Sequence, residues 1–225
     1  MSYTGAVRPG GEPDVRELAR LRITKVAVDP EMSNNCYLLT CLDTGDQVLV
    51  DAAAEAGTLL PLIGDGGLTA VVTTHQHWDH HRALAEVVAA TGAGVVAGEP
   101  DADAVTEQTG VEVTRRVSDG DTVAVGGCSL EVIQLAGHTP GSIALRYSDT
   151  DSEDGHDHLF TGDSLFPGGP GRTTRGEDFA TLMRDLQAKV FDRLPDETWF
   201  YPGHGADSTL GAERPHLGEW LARRW

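Results

Sequence analysis

Eight consecutive residues constrain this chain more than any other stretch: Thr73-Thr74-His75-Gln76-His77-Trp78-Asp79-His80, set at the end of the apolar run 70–73. Three imidazoles and a carboxylate stand there within six residues. A lone histidine is more often a satisfied polar residue than a ligand, but four donors in one turn are not explained that way. In extended or turning backbone His75 and His77 point to one side, while Asp79 and His80 turn toward an adjacent position. The spacing therefore allows two neighbouring metal ions. Further donors follow at the ends of apolar runs, each in a glycine-containing turn: Gly137-His138-Thr139-Pro140-Gly141, Thr161-Gly162-Asp163-Ser164 and Pro202-Gly203-His204-Gly205. Glycine lets the backbone turn sharply and approach a crowded centre.

The rest of the chain divides into an arm and a body. Residues 1–22 read as a polar arm with a short helical spacing at Val15, Leu18, Ala19 and Leu21; residues 23–225 read as a single domain, since 225 residues suffice for one sizeable core. Runs 23–28, 36–40 and 47–50 are β-rich, with a hairpin signal at Asp43-Thr44-Gly45-Asp46. Helices are expected over 51–62, 81–91, 102–108, 179–191 and 213–224, and strands over 95–97, 122–125, 129–134, 143–147, 158–160 and 198–201. The order is β-rich half, helix, β-rich half, helix. The acidic segment 149–157 reads as a solvated hairpin tip, with His156 and His158 as surface residues. Trp78 is expected to pack beneath the ligands, and His81 to start a helix.

The order H-x-H-x-D-H, A-G-H-T-P-G-S, T-G-D-S-L-F, P-G-H-G resembles the metallo-β-lactamase superfamily, from Ile23 to about Arg214. The resemblance implies a four-layer αβ/βα sandwich of the α/β (α+β) class, with metals at one edge between two sheets. By it, His75, His77 and His138 hold one metal, Asp79, His80 and His204 a second, and Asp163 bridges both. It also implies an acidic support position at Asp51, for which a helix N-cap is the other reading, and a substrate-binding basic residue at Arg172. An aspartate at 163 sets the chain apart from true β-lactamases and toward the glyoxalase II-like branch. In place of the aromatic that follows the basic residue in glutathione-binding members stands Thr173-Thr174, and only 21 residues follow His204, which leaves the carrier thiol open.

Two divalent ions about 3.5 to 4 Å apart can share a water and lower its pKa from 15.7 to about 7. The expected chemistry is hydrolysis of a thioester by that bridging hydroxide, with Asp79 as the catalytic residue that orients it and accepts its proton. Zinc is the first choice of metal, with iron and manganese also matching His and Asp donors. The alternatives are a mono-iron persulfide dioxygenase and a lactone or phosphodiester hydrolase. A formal charge of −18 works against binding nucleic acid. No apolar run reaches the roughly 18 residues of a membrane span, and Cys36, Cys41 and Cys128 show neither disulfide nor zinc-knuckle spacing. A small-molecule substrate and a cytoplasmic location are the expectation.

Overall fold

Strand β3 (Asn34–Cys41) sends Cys36 and Leu38 to one side and Tyr37, Leu39 and Cys41 to the other, all buried. This is the two-residue period of a strand covered on both faces. The computed structural model describes residues 3–152 and 155–223. Its first sheet runs in chain order: β1 (Asp14–Glu17), β2 (Leu21–Val28), β3, β4 (Gln47–Val50), β5 (Ala70–Thr73), β6 (Gly94–Gly98) and β7 (Arg115–Val117). The first four pair antiparallel; β4 to β7 pair parallel and are joined by α1 (Ala56–Ile63), α2 (Leu84–Thr91) and α3 (Ala102–Thr109). Parallel neighbours need such crossovers.

The second sheet takes β8 (Thr122–Val125), β9 (Cys128–Gln134), β10 (Ile143–Ser148) and β11 (Asp157–Gly162) as a meander. A small hairpin, β12 (Leu165–Phe166) and β13 (Gly169–Pro170), follows. Helix α4 (Gly176–Asp185), widened into a π-turn over Leu186–Phe191, then carries the chain to β14 (Trp199–Pro202), parallel to β11, and β15 (Ser208–Thr209). Helices α5 (Leu210–Glu213) and α6 (Leu217–Arg223) close the described residues.

Three apolar clusters hold the layers together. Leu59, Leu84, Val87 and Val105 of the first helices meet Val26, Leu38, Val71 and Val95; Ile23, Leu39, Val50 and Val72 meet Leu130, Val132, Leu145 and Phe160 between the sheets; Ile133, Leu159 and Phe200 meet Leu182, Leu186 and Trp220 outside the second sheet. Each fully buried side chain of this kind contributes about 1.5–3 kcal/mol relative to exposure. The result is the four-layer αβ/βα sandwich that the sequence resemblance implied.

Several local expectations are corrected. The helical spacing at 15–21 is overridden by pairing: Arg16 sits opposite Ile23 in an edge strand, and the Leu18 N–H closes on the Leu21 carbonyl at 2.9 Å. The helix expected from 51 begins at Ala56, because Asp51 and Glu55 adopt φ of 58° and 53°; the N-cap reading of Asp51 falls with it. The helix expected from His81 begins at Leu84. His158 is buried at 3 % exposure, its Nδ1 2.9 Å from the Tyr201 hydroxyl, whereas His156 is exposed. The acidic tip is anchored at both ends, since Asp149 and Asp157 are buried and Asp157 takes two 3.0 Å bonds from Arg146. Residues 153 and 154, within that segment, and Arg224, at the end of the last expected helix, lie outside the described residues.

Candidate metal centre

The donors converge where strand ends of both sheets meet. His75 and His77 follow β5, Asp79 and His80 ride a single helical turn (Trp78–His80), His138 sits between β9 and β10, Asp163 follows β11, and His204 follows β14. The His204 turn is tied across to the first sheet by a β-bridge to Asn34 and by Asn35 N–H donating to the Gly203 carbonyl at 2.7 Å. All seven sequence candidates are thereby brought together. Three triads have donor atoms within 4.8 Å of one another: His75, His77 and His138; His75, His80 and Asp163; Asp79, His80 and His204. Asp163 lies between the halves, with Oδ1 3.4 Å from His80 Nε2, and Oδ2 3.5 Å from His204 Nε2 and 3.8 Å from His138 Nε2. Gly203 permits this crowding: a Cβ there would meet the Asp163 carboxylate and stand 2.7 Å from His80 Cε1.

Neighbouring groups set which ring nitrogens are free. Carbonyls only accept, so His138 Nδ1 donates to the Arg172 carbonyl at 2.7 Å and His204 Nδ1 to the Met32 carbonyl at 2.9 Å. His80 Nδ1 lies 2.8 Å from Asp51 Oδ2. Thr74 donates its hydroxyl to the other face of this pairing, to Asp51 Oδ2 at 2.9 Å, and is left to accept from His75 Nδ1 at 3.1 Å. In their neutral form four rings are thus fixed with Nε2 bare and turned inward, as outer hydrogen bonds fix metal-binding histidines elsewhere. The Nε2 atoms of His75 and His138 are 3.3 Å apart, and those of His80 and His204 are 3.2 Å apart. Two nitrogens on one ion at about 2.0–2.1 Å in tetrahedral geometry stand about 3.3 Å apart. Facing lone pairs at that distance repel unless a cation lies between them. The buried Oδ1 of Asp163 accepts no hydrogen bond among the described residues, which again fits a cation.

The carboxylates draw positive charge into the centre: without an ion they hold protons on His80 and His204, and a bound ion would take the place of those protons. Burial pulls the His75 imidazole well below its usual range, and the surrounding imidazoles push it further down. Burial also works against a charged His80, but Asp163 and Asp51 outweigh it and hold that ring well above the usual value. The Asp79 carboxyl is lowered: burial opposes ionisation, and His204, His80 and the amide of Asn34 overcome it. Asp163 is likewise lowered, by His80, His204 and His138 against its burial. Both carboxylates are therefore ionised at neutral pH.

Four supporting side chains were not found in the sequence. Asp101, fully buried, accepts from Gln76 N–H at 2.9 Å and Gly141 N–H at 2.7 Å and from the Thr139 hydroxyl, pinning the His75–His77 loop to the His138 loop. Asn34 donates to Asp79 Oδ2 at 3.0 Å. The pair Lys25 and Asp207 sits behind the His204 turn. A carboxylate one turn past a strand end was the available signal for Asp101; nothing local marked the other three. Trp78, expected beneath the ligands, instead faces solvent at 54 % exposure, with the Arg82 guanidinium 4.7 Å from its ring centre. The short turn aims its neighbours Asp79 and His80 inward and leaves Trp78 outside. Arg172 meets the site through its carbonyl; its side chain is exposed and borders a cavity of ≈ 560 Å³ with Phe166, Pro167, Pro170 and Thr173.

Residues 29–204 match the metallo-β-lactamase superfamily domain. The chain belongs to that superfamily. It is 36 % identical over 170 residues to hydroxyacylglutathione hydrolase of Polaromonas sp., covering 75 % of this chain and 60 % of that protein, so it spans about three fifths of that relative's length. It is 32 % identical over 188 residues to hydroxyacylglutathione hydrolase of Rhodospirillum rubrum, covering 83 % of this chain and 67 % of the relative. These relatives place it on the glyoxalase II-like branch of the superfamily. Among solved structures, ETHE1 from Myxococcus xanthus is similar with a TM-score of 0.74 and 28 % identity, over 89 % of this chain and 84 % of that one. Among the described residues no helix is long and apolar enough to cross a membrane.

Proposed function

We propose that this superfamily member is a metal-dependent thioester hydrolase resembling glyoxalase II. His75, His77 and His138 would hold one divalent ion, Asp79, His80 and His204 a second, and Asp163 both. The observation that carries the reading is the position of Asp163 between the two donor sets, 3.4 Å from His80 Nε2 and 3.5 Å from His204 Nε2 of one and 3.8 Å from His138 Nε2 of the other. Bound there, divalent ions supply hydroxide at neutral pH and Lewis acidity toward a carbonyl. Zinc is the first candidate, with iron and manganese suited to the same donors.

The chain's own residues narrow the substrate. Asp79, held by Asn34 at 3.0 Å, orients the attacking water and takes its proton. Asp51 keeps the His80 and His75 rings in the binding tautomer, and Arg172 offers a cation at the rim of the adjacent cavity. Asp79 and Asp163 are both held below the usual carboxylate range, so neither carboxyl stands protonated at the start of turnover to serve a leaving group. A thiol with a pKa of about 8.5 leaves as the thiolate without one; an amine does not. Thioesters are therefore favoured over amides, and the charge of −18 weighs against polyanionic phosphodiesters. The test is hydrolysis of S-lactoylglutathione and a panel of other thioesters and lactones. Asp163→Ala should abolish turnover, and full activity in that variant would overturn the reading.

A second reading, oxidation of a persulfide at a single iron, has the likeness to ETHE1 behind it. One iron per chain, with oxygen uptake on glutathione persulfide, would favour it; two ions and no oxygen uptake favour hydrolysis.

A further inference from the structure

We propose that Lys25 and Asp207, strapped by residues 3–5, are positioning residues that hold the His204 turn in place, so that the N-terminal arm sets the affinity of one metal site. The inference rests on the reading that His204 holds an ion. Lys25 lies on β2 in the first sheet with no exposed surface. Its ammonium spends all three of its donors: on the Gly5 carbonyl at 2.8 Å, the Gly205 carbonyl at 2.9 Å and Asp207 Oδ1 at 2.6 Å. Asp207 is equally committed. Its Oδ2 accepts from the Tyr3 hydroxyl at 2.7 Å and the Trp199 indole at 3.1 Å.

The geometry joins three separate segments. Gly205 directly follows His204, and Asp207 ends the same turn. Gly5 and Tyr3 belong to the arm. Arg16 on β1 presses its guanidinium 4.4 Å from the Tyr3 ring centre and 4.1 Å from that of Trp199, which keeps the arm against the strand leading into the turn. The Asn35 side chain adds a second hold from the same sheet, donating to the Pro202 carbonyl at 2.9 Å and the Gly205 carbonyl at 3.0 Å. A buried ion pair is weak evidence for net stability, because desolvation offsets much of its attraction. Its worth is in direction: the Gly205 carbonyl meets a charged partner in one orientation of the turn. In that orientation His204 Nε2 lies 3.3 Å from Asp79 Oδ2 and 3.2 Å from His80 Nε2. Among the described residues no hydrogen bond or ion pair joins His75, His77 or His138 to this network, so its loss should act on one half of the centre.

The experiment is competitive zinc titration of the apo protein against a chromophoric chelator, for the wild type, Lys25→Met, Tyr3→Phe, a chain lacking residues 1–5, and His204→Ala as the reference for loss of that half-site. The wild type should bind two zinc ions. Lys25→Met and the shortened chain should weaken one of them at least tenfold, leave the other within about twofold, and reproduce the pattern of His204→Ala; Tyr3→Phe should give a smaller shift of the same ion. Activity lost in Lys25→Met should return when zinc is raised. A wild type that binds no zinc overturns the metal reading itself. Two ions in the wild type, with unchanged affinities in the variants or with both sites weakened equally, overturn the strap and leave the metal reading standing. Should Lys25→Met fail to fold, Tyr3→Phe and the shortened chain decide by the same criterion.

Discussion

Substituting Asp51 by asparagine changes one atom and should disable both halves of the centre. The Asp51 carboxylate accepts from the Thr74 N–H at 2.8 Å, the Thr74 hydroxyl at 2.9 Å and His80 Nδ1 at 2.8 Å. The Thr74 N–H can only donate, so the carboxamide of the Asp51→Asn variant would keep its oxygen there and turn its NH2 toward His80. That ring must then accept at Nδ1 and carry its proton on Nε2, the atom an ion needs. Thr74 Oγ1 would accept from the same NH2 and donate onward to His75 Nδ1, moving that ring's proton inward as well. With the binding tautomer restored, His80 Nδ1–H faces the carboxamide NH2, and the wild type's charge-assisted bond of about 1.5–3 kcal/mol is missing. At 1.36 kcal/mol per decade this is a loss of roughly 10- to 150-fold in affinity, in line with the 10- to 100-fold typical of such outer partners. Zinc competition titrations of apo wild type and Asp51→Asn measure it, and the nitrogen chemical shifts of the histidine rings report the tautomers. Retention of both ions within threefold of wild-type affinity, with Nε2 unprotonated, would refute the reasoning.

Two further outcomes are expected. Gly203→Ala should lower zinc content with little change in the apo melting temperature, because its Cβ is driven against Asp163 and His80 while the Gly203 backbone bonds to Gly162 and Asn35 persist; unchanged metal content would contradict it. His158, buried and near the Arg16 charge, has its pKa pulled down to about 3 from 6.5, so the unfolded chain binds its proton first. The stability from the neutral ring is whole above pH 6.5 and is lost as pH falls from there toward 3, at about 1.4 kcal/mol per pH unit. His158→Gln should flatten the acid limb of the melting profile; an unchanged slope would remove His158 as its cause.

The donors were legible because metal chemistry limits them to few residue types and the turns to glycine, so all seven could be named before any distance was known. Sandwich strands were legible for a related reason: Cys36 to Cys41 is apolar on both faces, as a doubly covered strand requires. What failed was whatever depended on a distant partner. Val15, Leu18 and Leu21 carry a helical spacing, but a free strand edge at β2 was there to be paired. His158 beside an acidic run reads as surface until Tyr201, 43 positions later, comes to lie 2.9 Å away. Asp101 and Lys25 are ordinary charged residues in the sequence, and only the fold reveals that each has every polar atom engaged.

That dependence has a consequence for how the centre forms. His75, His77, Asp79 and His80 come from the first half of the chain, and His138, Asp163 and His204 from the second. Each triad of close donors except Asp79, His80 and His204 gathers around His75, and every one of the three requires a residue from both halves. An ion bound there therefore bridges the two sheets, and its binding free energy adds to the packing of Leu39, Val50 and Val72 against Leu145 and Phe160. Binding to the folded state alone stabilises by RT ln(1 + [L]/Kd), about 2.7 kcal/mol at a hundredfold excess over Kd. The same linkage runs backward: loosening the inter-sheet core must weaken the ions, even at a residue that touches no ligand. The apolar interface and the polar centre are in this sense one structure, joined at the strand ends where the glycine turns bring the donors in.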